Sequence, residues 1–298
     1  MKLNIGYFAD GPWAHETFKK IIKDPRIKIS FICTRFDSND EILISYAKKH
    51  SIKHLKNKNV NSSKFISIIK KFNCDLFVSM SFNQIFKTNM INLTRYKIIN
   101  CHAGKLPFYR GRNVLNWVLI NDEKEFGITV HYIDELIDNG DIILQKLFKI
   151  SDKDDYKSLL KKAYRECANI LYETILMFLK GNIKKQKQKK IHKIGFYCPR
   201  RKKGDENLNW NQNIRDIFNF VRAICSPGPV ARSFINNKEI KINKVEYIKD
   251  APIYKSIVGA VLNKDKNSFT VKTKDSSIKV ISFQYNGSIK VGDRFKIK

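Results

Sequence analysis

The chain has 298 residues and a formal net charge of +29, from 57 Lys and Arg against 28 Asp and Glu; 43% of it is apolar and 29% charged. This balance excludes a disordered or collagen-like chain, and the lack of any run of about 18 apolar residues excludes a membrane-spanning helix. At roughly 100–200 residues per domain, the length fits one large domain or two unequal ones. In chain order, KLNIGYFA (2–9) predicts a strand that begins at once, without a signal-peptide pattern, so a cytoplasmic protein is expected. Pro12 is placed to open a helix over 13–23, with Phe18, Ile21 and Ile22 on one side. A strand over 26–34, a helix over 42–49, a helix over about 62–72 and a strand over 74–80 follow. This alternation predicts an α/β fold with an open, mostly parallel, Rossmann-like sheet, whose ligands lie beyond the carboxyl ends of the strands.

YKIINCH (96–102) is the next strand, followed by a loop containing Gly and Pro and a helix over about 112–121. GITVHYID (127–134) and DIILQKLFKI (141–150) read as two strands around a turn at Asp138-Asn139-Gly140, and a long helix over 154–180 ends at Gly181. KKQKQKK (184–190) is a basic connector. Beyond it lies one amphipathic helix with Ile214, Ile217, Phe218 and Val221 on its buried face, broken by SPGP (226–229). Short strands at EIKINKVEYI, SIVGAVLN, SFTVKTK, SIKVISFQ and DRFKIK then predict a small all-β barrel. The division expected is a catalytic domain over 1–183, a basic linker over 184–199 and an OB-like β domain with one helix over 200–298.

The charge alone points to a polyanionic partner such as RNA or an anionic membrane surface. Lysines, however, outnumber arginines 45 to 12 and are spread along the chain, whereas specific phosphate and base recognition favours the arginine fork. With many Asn and Ile alongside, the lysine excess also fits drift in an AT-rich genome, and a nucleic-acid partner is not expected. The six cysteines, Cys33, Cys74, Cys101, Cys167, Cys198 and Cys225, form no CxxC and read as reduced and structural; no metal is expected.

Two places invite chemistry. The loop Asp10-Gly11-Pro12-Trp13-Ala14-His15-Glu16 lacks GxGxxG, so a nicotinamide or flavin enzyme is rejected, although Trp13 is placed to flank a ligand at the sheet edge. Asn100 and His102 lie two apart on one strand and share a face. An Asn amide can donate to an oxyanion and a His can take the proton of an attacking amine. A lone His at a strand end is more often structural; the surrounding pattern decides.

That pattern, NCHAGKLPFYRGRNVLNW (100–117), GITVHYID (127–134) and DNGDII (138–143), resembles the 10-formyltetrahydrofolate-dependent formyltransferase family. The resemblance covers about residues 1–180 well and extends more weakly to the end, where longer members carry a small barrel. It implies catalytic roles for Asn100, His102 and Asp138. It places the formyl donor, 10-formyltetrahydrofolate, near Ser81, Phe82, Gln84, Ile85, Phe86, Asp134 and Ile137, and the acceptor near Gly11, Trp13, His15, Gly104, Lys105 and Arg110. The loop departs from the family's frequent His-Pro-Ser with His102-Ala103-Gly104. Members formylate methionyl-tRNA, glycinamide ribonucleotide or nucleotide-linked amino sugars. The tRNA enzymes carry an insertion after the second strand, rich in Arg, Gly and Pro; here FICTRFDSNDEILISYAKK passes directly to a helix. A nucleotide-linked amino sugar for surface polysaccharide synthesis is therefore the expected acceptor, and a homodimer is expected by the same likeness. Methionyl-tRNA is the alternative, and an RNA-binding protein with a relic catalytic domain is the alternative of another class.

Overall fold

The computed structural model describes residues 2–296. The first sheet is built from β1 (Leu3–Ala9), β2 (Ile27–Thr34), β3 (Lys53–Lys56), β4 (Leu76–Met80), β5 (Ile98–His102), β7 (Glu125–Tyr132) and β8 (Ile142–Lys149), with a two-residue strand β6 (Arg110–Gly111) outside it. Its order is β3-β2-β1-β4-β5-β7-β8. Strands β3 to β5 pair in parallel, and the direction reverses at β5–β7. Between the strands lie α1 (Gly11–Ile21), α2 (Glu41–Lys49), α3 (Ser63–Lys70), the short α4 (Thr88–Ile91), α5 (Val114–Ile120) and, after β8, the long α6 (Tyr156–Leu179). Asp40 caps α2 by accepting from Leu43 N–H, and Ser62 caps α3 by accepting from Phe65 N–H. Phe8, next to the carboxyl end of β1, meets Phe31, Phe77, Phe82 and Phe86 edge-on at 5.1–5.5 Å between ring centroids, and this aromatic knot packs the loop after β4 onto the sheet. β3, with the sequence KHLK, lacks an apolar run and was not among the strands expected.

The remaining elements are β9 (Tyr197–Cys198), α7 (Ile214–Ile224), β10 (Ala231–Ile235), β11 (Lys238–Glu246), β12 (Val261–Lys264), β13 (Phe269–Lys272) and β14 (Ser277–Tyr285). β10 to β14 form an antiparallel sheet in the order β10-β11-β14-β13-β12. Phe295 bridges to Ile235 and Arg294 to Ala260, so one segment touches both edges and the sheet curls into a barrel. Its core holds Trp210, Phe269 and Phe295, and the Trp210 indole donates to Ser233 Oγ at 2.8 Å. The strand expected over 256–263 is only β12, because Gly259 (φ +82°) turns the chain first. The expected strand DRFKIK makes its two bridges, and its residues 297–298 lie outside the described residues.

The chain divides into two compact units that interleave along the sequence: 1–111, 126–148 and 161–198 form the first, and 112–125, 149–160 and 199–298 the second. In the second, α5 packs on α7. Arg215 of α7 pairs with Asp122 and Asp152, and the Arg222 guanidinium donates to the carbonyls of Ser151 and Asp154. No helix among the described residues is long and apolar enough to cross a membrane.

Candidate active site

β5 supplies Asn100 and His102 on one face, as period-2 alternation requires. The antiparallel register places His131 opposite Asn100 and Thr129 opposite His102. Directly opposed residues share a face, so the four side chains form one polar patch. Thr129 Oγ1 donates to Gly104 O at 2.7 Å and fixes the loop that leaves β5. That loop contains a cis Leu106–Pro107 bond and brings Tyr109 back over His102. A Cβ on Gly104 would lie 2.5 Å from both His102 Nε2 and Tyr109 O, so only glycine fits there.

Asp138 reaches the patch from the β7–β8 connection. It adopts φ +49°, a region Asp tolerates better than most residues. Its Oδ2 accepts from Gly111 N–H at 2.9 Å and faces His102 Nδ1 at 3.5 Å, while Oδ1 faces His131 Nε2 at 3.4 Å. Burial pushes the Asp138 carboxyl up, but the attraction of the two facing imidazoles in their charged form and the Gly111 N–H outweigh it and hold the group well below the usual carboxylate range. Tautomers follow from the acceptors. Tyr109 O, 2.7 Å from His102 Nε2, can only accept, so Nε2 carries the hydrogen and Nδ1 is left toward Asp138. By the same logic His131 Nδ1 donates to Tyr132 O at 2.8 Å, and its Nε2 accepts from Asn100 Nδ2 at 3.3 Å. One Asn100 N–H is thereby oriented and the other is left to donate elsewhere.

A second layer holds the aspartate. Gln188, 3% exposed, donates from Nε2 to Asp138 O (2.9 Å) and Gly140 O (2.8 Å). Its Oε1 accepts from Arg110 Nη2 at 2.6 Å and Nε at 3.0 Å. A Cβ on Gly140 would sit 1.9 Å from Tyr132 O, so the turn after Asp138 needs a glycine. His131 and Gln188 were not singled out from the sequence. The signal for His131 was present: Thr129 and His131 are polar residues at alternate positions of an otherwise apolar strand.

The other expected residues fall into separate groups. Gly11 N–H donates to Asp40 Oδ2 at 2.7 Å and His15 Nε2 lies 2.8 Å from the same carboxylate, while Trp13 packs edge-on against Tyr164 at 4.6 Å. Burial raises the Asp40 carboxyl, but its bonds from Leu43, Gly11 and His15 bring it down overall. Lys105 follows Gly104, its backbone against Gly127. In the loop after β4, Ser81 has φ +58° and Phe86 is buried in the aromatic knot. Gln84 bonds the backbone at Val60 and Asn57. Ile85 is exposed, as are Leu136 and Ile137 on the β7–β8 connection. The two loops meet where Thr88 N–H donates to Glu135 Oε1 at 2.8 Å, and Asn83 Oδ1 nearby in sequence is buried without a hydrogen-bond partner. The Asp134 carboxylate accepts from Leu136 N–H and Asn139 Nδ2. Among the described residues no group of His, Cys, Asp and Glu has the arrangement of a metal site.

Comparison with known proteins fits this geometry. The formyl transferase family matches residues 34–175 and the formyl transferase C-terminal domain matches 200–293. The bifunctional polymyxin resistance protein ArnA of Wigglesworthia glossinidia brevipalpis is 33% identical over 264 residues, which is 87% of this chain and 39% of that longer protein. In structure the chain resembles WlaRD, a sugar 3N-formyl transferase solved with dTDP and 5-N-formyl-THF, at a TM-score of 0.69 and 23% identity, covering 96% of this chain and 99% of the other; that likeness is one of fold. The methionyl-tRNA formyltransferase of Fusobacterium nucleatum is 33% identical over 290 residues, covering 94% of this chain and 91% of its own length, and with a relative of that extent the chain belongs to the formyl transferase family, enzymes that transfer a formyl group.

Proposed function

We propose that the protein moves the formyl group of 10-formyltetrahydrofolate onto the amine of a nucleotide-linked amino sugar destined for surface polysaccharide. The observation that carries the acceptor is the β2–α2 connection. It is six residues long (35–40), and it is tied down at its middle and its end: Ser38 Oγ donates to Asp10, Asn83 Nδ2 donates to Asp37, and Asp40 holds Gly11 and His15. The insertion with which tRNA enzymes of the family reach an acceptor stem has no counterpart in this loop. The sugar acceptor named for WlaRD agrees with the same reading.

The residues present fit such a donor. Ile85, Leu136 and Ile137, 58%, 62% and 53% exposed, offer apolar surface on two loops joined at Thr88–Glu135, and the partnerless Asn83 Oδ1 offers an acceptor to a hydrogen-bonding edge. Bound there, the donor supplies an activated formyl carbonyl. Asn100 donates its second amide N–H to the carbonyl oxygen as charge builds on it, held in aim by His131. His102 takes the amine proton at Nδ1, the one ring nitrogen not given to Tyr109, and Asp138 stabilises the charge that results. The same proton is then available to the departing nitrogen, so bond making and bond breaking balance without an outside acid.

Methionyl-tRNA is the second reading, favoured by the name of the Fusobacterium relative and by the +29 charge. The test is incubation of the protein with 10-formyltetrahydrofolate and, in parallel, a panel of nucleotide-linked amino sugars and charged initiator tRNA, read by mass spectrometry. Formylated sugar with unmodified tRNA is expected. Formylated tRNA with unmodified sugars overturns the acceptor, and no formyl transfer to either overturns both readings.

A further inference from the structure

The basic segment 184–190 is bonded into the first unit. Gln186 and Ile142 exchange two backbone hydrogen bonds, at 2.8 and 2.9 Å, and Gln188 is buried behind Asp138. Lys185, Lys187 and Lys189 consequently alternate along one wall of a cavity of about 520 Å³. Arg95 and Lys97, from the turn before β5, line it as well, and Tyr96, Tyr132 and Gly140 contribute further lining. Five cations thus surround one hollow, against two carboxylates. Both carboxylates are engaged: Asp134 accepts from Leu136 N–H and Asn139, and Asp141 lies 3.6 Å from Lys185 Nζ. Lys97, Lys187 and Lys189 have no carboxylate partner among the described residues. None of Asn100, His102 and Asp138 lines the cavity.

Like charges gathered around a concave surface repel one another and focus a positive potential into it. An anion with charge spread over several oxygens relieves that repulsion, and a guanidinium together with lysine ammonium groups is the donor set that phosphates take. The volume exceeds that of a single phosphate and suits a phosphorylated small molecule of nucleotide size. We propose that this cavity is a binding site for a small oligophosphate. It contains none of Asn100, His102 and Asp138, although Gln188, which also lines it, donates to the Asp138 carbonyl. The site goes beyond the acceptor reading, since a sugar enzyme and a tRNA enzyme of this sequence would carry it equally.

Inorganic pyrophosphate is the probe, titrated calorimetrically at low salt without donor or acceptor. Three proteins are compared: the unaltered chain, Lys97→Gln/Lys187→Gln/Lys189→Gln, and a control with the same charge loss on exposed residues elsewhere, Lys48→Gln/Lys49→Gln/Lys53→Gln. Saturable binding is expected in the unaltered chain, at least about tenfold weaker in the cavity triple and nearly unchanged in the control, since the lost contacts are charge-assisted. If the cavity triple does not fold, Lys187→Gln and Lys189→Gln singly provide the same comparison. Absence of saturable binding, equal weakening in both triples, or unweakened binding in the cavity variants overturns the site.

Discussion

Replacing Asp138 with Asn removes one charge from the centre of the site and little else. Asn tolerates the φ of +49°, and its amide oxygen can still accept from Gly111 N–H, so the turn is kept. The contacts to His102 at 3.5 Å and His131 at 3.4 Å are long for hydrogen bonds, so their worth lies mainly in Coulomb attraction. At 3.5 Å and an effective dielectric of about 20, a carboxylate attracts a protonated His102 by about 5 kcal/mol. The carboxylate is 12% exposed and shared between two rings, and halving the attraction for this leaves ~2.5 kcal/mol, or about 10²-fold in rate. The assay is formyl transfer at saturating donor, with donor affinity by fluorescence and melting temperature on the same sample. Turnover about 10²-fold lower, with donor affinity and melting temperature nearly unchanged, is expected. Normal turnover refutes the catalytic role and leaves Asp138 a turn residue; lost turnover together with a collapse in melting temperature refutes the view that its charge, not its packing, matters.

Other perturbations read the neighbouring layers. His131→Leu keeps volume but removes the acceptor that aims the half-buried Asn100, and turnover is expected to fall by about 10-fold, the cost of a donor left without its partner; unchanged turnover would remove His131 from the site. Gln188→Leu strips Arg110 of its oxygen acceptor and Asp138 O of its donor, so both melting temperature and turnover should fall; Gln188→Glu keeps the acceptor for Arg110 but sets a carboxylate oxygen against the Asp138 and Gly140 carbonyls, so it should recover the melting temperature only in part and turnover not at all, and full recovery of both would make Gln188 structural only. The depressed carboxyls of Asp138 and of Asp24, the latter held down chiefly by Arg26, contribute stability that is whole above the unfolded value of about 3.9 and is lost as pH falls through it toward their native values. Melting temperature should accordingly be flat from pH 7 to about 5 and drop below about 4; a steady decline between 7 and 5 would contradict this. Burial pushes the Cys33 and Cys74 thiols up to about 12 and Cys198 up to about 11, so a thiol reagent at neutral pH should label the native protein slowly and the unfolded protein at all six cysteines; rapid native labelling would show an unprotected thiolate.

The parallel half of the sheet and the shared face of Asn100 and His102 were legible because they rest on local signals, apolar runs and a two-residue spacing on one strand; Asp138, 36 residues on, was joined to them only by the family resemblance, since a Gly-containing turn by itself reads as a turn. His131 was not, because its place opposite Asn100 depends on the antiparallel reversal at β5–β7, and an α/β alternation argues for parallel neighbours. Gln188 was hidden by composition. KKQKQKK reads as a solvated connector, and only the paired backbone at Ile142 shows that one of its side chains faces inward. β3 lacks an apolar run because an edge strand with polar side chains needs none, and β10 follows too closely on SPGP for periodicity to separate it.

The place of α5 has a consequence for how the molecule is made. Its partner α7 begins a hundred residues later, at Ile214 against Val114. At a synthesis rate of roughly 5–20 residues per second, the surface of α5 that meets α7 waits on the order of 5–20 s on the ribosome for its cover. Val114, Leu115, Val118 and Leu119, all buried in the finished fold, are carried through that interval by a chain whose N-terminal strands are already complete. A nascent chain stalled between residues 160 and 210 is therefore a natural client for a chaperone. α7, the helix that precedes the barrel, is the late half of a helix pair begun in the middle of the sequence.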